Sequence, residues 1–247
     1  MNPTATLKGR TALVTGAGRR LGRAFALGLA AAGADMAIHF HGSREGAQKT
    51  ADDASRHGVR ADVFQADLGD IAQASGLIES VSSAMGQVNI LVNSAAIFEP
   101  IGPNETDLDA WVRHMRINLT SPFFLTQAFA RQLDGQPGSV VNVLDWRALR
   151  PGTDHFPYTV SKAGLAAVTK SLAQAYAPHI RVNALALGAI LPPSDGGDAR
   201  SDAPIQATPA ARWGTVEEAV DGLVFLVGGP EYVTGQILYV DGGRHLT

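Results

Sequence analysis

At 247 residues, 45% hydrophobic and 17% charged, the chain has the make-up of one large or two small globular domains. Its formal net charge of −3 argues against a nucleic-acid partner, and the absence of cysteine excludes disulfides and thiolate metal sites. The seven histidines show no metal-ligand spacing, MNPTATLKGR holds no signal-like apolar core, and no apolar run reaches the ~18 residues of a membrane span. The expectation is a cytoplasmic protein with no metal, membrane or nucleic acid as partner.

In chain order, β-rich apolar runs occupy 11–15, 35–40, 61–65, 89–93, 139–143, 181–186 and 236–240. Helical patterns lie between them, over roughly 21–32, 44–57, 70–85, 106–133, 158–177 and 216–227. Continuous apolar strands alternating with helices predict a Rossmann-type α/β fold: a doubly wound, seven-stranded parallel sheet with helices on both faces. No linker or repeat interrupts it, so residues 1–247 read as one domain. The exception is a Pro-, Gly- and Asp-rich stretch over about 189–212, long enough to be a substrate loop.

The first strand runs into TGAGRRLG, Thr15 to Gly22. Gly16 and Gly18 permit a tight turn and close backbone approach, and Gly22 in the first helical turn lets the helix sit near the strand. The helix N-terminus offers free N–H groups to a pyrophosphate. Arg19 and Arg20 stand within this turn. Strand two ends in HFHGSR, with no carboxylate before Glu45. A carboxylate there would select NAD by binding the ribose hydroxyls. Arg19, His41, Ser43 and Arg44 instead suit the extra phosphate of NADP. Asp67, closing the third strand, suits either a helix cap or the adenine amino group.

Tyr158 and Lys162 lie four apart at the start of a helical pattern, on one helix face. A nearby ammonium lowers the pKa of a phenol, and the pair follows a strand, SVVNVLD, at whose C-terminal end ligands bind in such sheets.

Together these motifs resemble the short-chain dehydrogenase/reductase family over nearly the whole chain. The matching pieces are TGAGRRLG, Ala66-Asp67, NSAA at 93–96, Asn118 in RINLTSPFF, YTVSK, RVNALALG at 181–188 and GQILYVDGG at 235–243. The resemblance implies that Tyr158 donates a proton, that Lys162 binds the ribose and lowers the tyrosine pKa, and that Asn118 holds a water in a proton relay. Asn93 would brace the sheet near the cofactor. It also carries Leu21, Leu68, Ala95, Gly188 and Ile190 over as cofactor-binding positions, and implies a homotetramer. Apolar residues on several faces of the fourth and fifth helical patterns, such as Phe123, Phe124, Leu165 and Val168, accord with that assembly.

Three departures narrow the activity. Asp145 stands thirteen residues before Tyr158, where most members carry a carbonyl-polarising serine. A carboxylate cannot donate to a carbonyl oxygen unless protonated, but it can pair with an amino-substituted heterocycle. Pairing of Asp145 with Arg147 or Arg150 is the structural alternative. Arg20 replaces the second glycine of the family motif, and Phe98 follows NSAA where it can stack on a flat ligand or fill the core. This set is similar to the pteridine reductase branch, including bacterial dihydromonapterin reductases. It implies NADPH-dependent reduction of a dihydropterin C=N bond, with Asp145 and Tyr158 delivering the proton. Arg20 would contact cofactor phosphate, and the pterin would contact Arg20, Phe98, Asp145, Trp146 and Tyr158. The other readings are a carbonyl reductase, for example on a 3-oxoacyl thioester, and a non-catalytic NADP-binding regulator. The intact Asn118, Tyr158 and Lys162 argue against the regulator.

Other departures are Ser94 and Ala96 in the NSAA turn, Leu187 in place of the proline before the substrate loop, and Gly42 where some pteridine reductases carry an arginine. His155 and His245 are pocket-rim candidates by their loop positions.

Overall fold

The computed structural model describes residues 6–191, 206 and 208–247. Most of the expected substrate loop, 192–205 and 207, lies outside the described residues. Seven parallel strands form one sheet in the order β3-β2-β1-β4-β5-β6-β7. They are β1 (Thr11–Val14), β2 (Asp35–Phe40), β3 (Ala61–Gln65), β4 (Val88–Asn93), β5 (Gly138–Asp145), β6 (Ile180–Leu187) and β7 (Ile237–Val240).

Helices α1 (Arg20–Ala31), α2 (Arg44–Ser55), α3 (Ile71–Met85), α4 (Leu108–Met115), α5 (Ser121–Leu133), α6 (Phe156–Ala175) and α7 (Val216–Gly228) connect the strands. Two cores result. Met36, Ile38, Val92 and Val141 face α1 and α7, while Leu13, Leu91, Val140 and Val182 face α3 and α5. Burial on both faces explains why β1 and β4 read as unbroken apolar runs. Each such fully buried Leu, Ile or Val contributes about 1.5–3 kcal/mol of hydrophobic stabilisation.

Two expectations need correction. The pattern over 106–133 is not one helix, because a π-helical turn at Arg116–Thr120 separates α4 from α5. Apolar spacing continues across the turn, and only Pro122 at the start of α5 marks the boundary. Leu165 is fully buried against β5 and β6 and offers nothing to another subunit.

The crossover from β1 goes to β2 on one side, while β4 lies on the other. The chain therefore opens a crevice at the C-terminal ends of β1 and β4, the place where such sheets bind ligands.

Candidate active site

The turn after β1 is held from both sides. Thr15 Oγ1 accepts the N–H groups of Ser94 (2.9 Å) and Ala95 (3.0 Å), which ties the end of β1 to the segment after β4. His39 Nδ1 accepts the Gly16 N–H at 3.0 Å, and its Nε2 lies 3.1 Å from the Ala66 carbonyl. The glycines are required by space. A Cβ on Gly22 would lie 2.3 Å from the Gly16 carbonyl oxygen, and one on Gly16 would meet the Ala95 backbone at 3.0 Å. Arg20 opens α1 with φ of 51°, a left-handed conformation natural to the glycine it replaces.

The cradle fits a dinucleotide. No acidic residue stands in the first turn of α1, and Arg19, Arg20, Ser43 and Arg44 are exposed around the turn. His41 sits at the same edge, 3.7 Å from the Asp67 carboxylate. Asp67 does not cap α3: its Oδ1 accepts the Gly69 N–H at 2.8 Å, and Asp70 provides the cap. Leu68 and Ile190 are buried beside the crevice, and Gly188 is pinned by its N–H to the Val240 carbonyl at 3.0 Å. A Cβ on Gly188 would lie 2.6 Å from the Asp241 Cα.

Asn93 donates to Asn142 Oδ1 at 2.8 Å, joining the paired strands β4 and β5 through their side chains. Asn118 lies in the π turn, where it accepts the Ile97 N–H (2.9 Å) and donates to the Ile97 carbonyl (3.0 Å) and Ser161 Oγ (3.1 Å). Both amide hydrogens are therefore taken. A relay water held by this side chain has only the second Oδ1 lone pair to use.

β5 runs two residues further than its apolar pattern and ends at Asp145. Its Oδ2 accepts from the Tyr158 hydroxyl at 3.4 Å, and its Oδ1 accepts the Arg147 N–H at 2.9 Å, with the Arg147 guanidinium at 3.5 Å. Asp145 thus faces Tyr158 and also pairs with Arg147, whereas Arg150 reaches the Arg244 carbonyl at 3.4 Å. Lys162 Nζ donates to the Val143 carbonyl at 2.7 Å.

Burial lowers the lysine pKa to about 8 and raises that of Asp145. The tyrosine departs from expectation. Burial and the adjacent Asp145 carboxylate push its hydroxyl well above the usual phenol value, and the opposing pull comes from Arg147, not Lys162. Burial is the larger cause, and the Asp145 carboxylate adds to it where a serine would carry no charge.

Phe98 is not core, since it is 45% exposed. It stacks on His155 with centroids 3.9 Å apart and meets Tyr158 edge-on at 4.7 Å. Trp146 has the guanidinium carbons of Arg147 and Arg244 at 4.7 and 4.8 Å from its ring. His245 bonds Asp241 Oδ2 at 2.7 Å. A separate cavity of about 380 Å³ opens between Thr208, Tyr239 and His245; it is lined by the expected cofactor position Ile190 and by His245, one of the two pocket-rim candidates.

Sequence reasoning missed the structural parts played by Thr15, His39 and Ser161. A histidine inside the apolar run DMAIHF was the available signal for His39.

A family model described as enoyl-(acyl carrier protein) reductase matches residues 16–245. The chain is a short-chain dehydrogenase/reductase. The uncharacterized oxidoreductase YohF of Escherichia coli K12 is 34% identical to this chain over 95% of both chains. The crystal structure of a gluconate 5-dehydrogenase from Burkholderia cenocepacia J2315, in complex with NADP and tartrate, superimposes with a TM-score of 0.90. It is 32% identical, and 99% of this chain and 98% of that one are covered. FolM alternative dihydrofolate reductase 1 from Brucella suis, in complex with NADP, gives a TM-score of 0.88 at 34% identity over 96% of each chain. The expected Rossmann-type fold, oxidoreductase class and NADP cofactor agree with these likenesses. Among the described residues, no helix is long and apolar enough to cross a membrane.

Proposed function

We propose that this chain reduces a C=N bond of a dihydropterin with NADPH, as a single-domain cytoplasmic homotetramer. The observation that carries the reading is the Asp145 carboxyl, placed 3.4 Å from the Tyr158 hydroxyl where most of the family have serine. Burial raises its pKa and so favours the acid form, which can donate to a ring nitrogen. Phe98, exposed beside Tyr158, offers aromatic surface to a flat ring, with Arg20 and Trp146 as further substrate contacts. The likeness to a FolM alternative dihydrofolate reductase supports a pterin.

When bound, the nicotinamide supplies the hydride. The chain's own residues do the rest. Gly16, Gly18, Leu21, Gly22 and the α1 N-terminus hold the pyrophosphate, and Arg19, His41, Ser43 and Arg44 hold the 2′-phosphate. Asp67, Leu68, Asn93, Ala95, Gly188 and Ile190 wall the crevice. Tyr158 and Lys162 bind the ribose. Tyr158, kept protonated by burial, delivers a proton to the reduced nitrogen and regains it from the acid form of Asp145 or through Lys162 and Asn118.

The carbonyl-reductase reading draws on the likeness to a gluconate 5-dehydrogenase. Arg147, however, binds Asp145 Oδ1 through both its backbone and its guanidinium, which stabilises an ionised carboxylate that cannot donate to a carbonyl oxygen. Steady-state rates decide. Dihydrobiopterin or dihydromonapterin should exceed an acetoacetyl thioester by at least ~100-fold in kcat/KM, the scale of a general-acid contribution. No pterin turnover would sink the proposal.

A further inference from the structure

Three arginines gather on the substrate side of Asp145. Arg147 and Arg244 both lie against Trp146, and Arg150 reaches the backbone of Arg244, which brings the turn after β5 and the last residues of the chain together. Stacking on an indole holds guanidiniums where like charges otherwise repel. Asp154 binds Arg147 at 2.9 Å, and Asp145 already serves both Arg147 and Tyr158. Among the described residues, three arginines are set against these two carboxylates. Arg244 sits below the usual arginine range because of burial and then because of Arg147 and Arg150, against the weaker pull of Asp145 and Asp154. Arg147 also lies 5.9 Å from the Phe98 ring, so the cationic rim borders the aromatic face proposed for the substrate.

We infer that the substrate carries a carboxylate on the side chain remote from its reacting ring, and that Arg244 and Arg150, set around Trp146, select for it. Arg147 orients the pair from beneath. The substrate class rests on the dihydropterin reading; the carboxylate site itself does not.

Two measurements test this. In steady state, dihydrofolate, with its glutamate tail, should show a lower KM than neutral dihydrobiopterin, and added salt should erode the difference. Arg244→Gln and Arg150→Gln should each raise the KM for dihydrofolate about tenfold more than that for dihydrobiopterin, the equivalent of ~1.4 kcal/mol. Equal changes for both substrates, or no preference in the parent protein, would overturn the inference. Calorimetric binding of p-aminobenzoyl-glutamate to the NADP-loaded enzyme tests the carboxylate site without turnover. Binding weakened about tenfold in both variants supports the site even if no pterin is reduced. Absent or unchanged binding overturns it.

Discussion

His39 and Gly16 are joined by a hydrogen bond whose direction fixes the protonation of the imidazole. The Gly16 N–H can only donate, so Nδ1 is the acceptor; the Ala66 carbonyl can only accept, so Nε2 carries the hydrogen. Burial agrees with this neutral tautomer by lowering the His39 pKa from 6.5 to about 4. The unfolded chain then binds the extra proton between those values, so stability is full above about pH 6.5 and falls as pH drops toward 4. The contribution reaches up to about 3 kcal/mol. Asp145, raised by burial, slopes the other way, so the wild-type curve mixes both. His39→Phe isolates the term: urea midpoints at pH 5 and pH 8 should differ less in the variant than in the parent. Identical slopes would refute the assignment.

Arg20 holds a left-handed conformation that costs a non-glycine residue about 1–2 kcal/mol. Arg20→Gly relieves that cost but gains unfolded-state entropy of about 0.4–1 kcal/mol. The net expectation is a change between zero and about 1.6 kcal/mol in favour of the variant, measured by denaturant unfolding without cofactor. NADPH affinity should fall at the same time. A variant that is both less stable and fully competent to bind would contradict this account.

Gly22→Ala places a methyl 2.3 Å from the Gly16 carbonyl, a backbone atom that cannot step aside alone. The turn must open, at a cost of about 1–3 kcal/mol. Calorimetry should show weakened NADPH binding alongside a lowered melting temperature.

Tyr158→Phe removes the hydroxyl facing Asp145 and leaves the ring against Phe98. Turnover should fall about 10²–10⁴-fold while NADPH still binds. Retained turnover would show that Asp145 can supply the proton alone.

Much of this was legible in the sequence where one residue type answers one local demand. Strands buried on both faces must be apolar, so β1, β2, β4, β5 and β6 announce themselves, while the part-buried edge strands β3 and β7 show through their β-rich residues. Tyr158 and Lys162 share a helix face whatever surrounds them. The illegible parts depend on partners far along the chain. The π turn holding Asn118 leaves the apolar spacing intact, and its meaning emerges only through Ile97 and Ser161. The upward shift of Tyr158 is the balance of burial, Asp145 and Arg147, which spacing alone does not set. Arg244 meets Trp146 only because β7 returns the chain's last residues to the end of β5.

The strand order also governs how the protein is made. β1 lies inside the sheet, yet Thr15 must wait for Val92, 77 residues later, before its second edge is covered. At ribosomal speeds of roughly 5–20 residues per second, that edge stays open for about 4–15 seconds. The nascent chain therefore carries an apolar strand with one open edge throughout that interval, a template for wrong pairing. Folding yield should depend more on what shields β1 during synthesis than on the stability of the finished sheet.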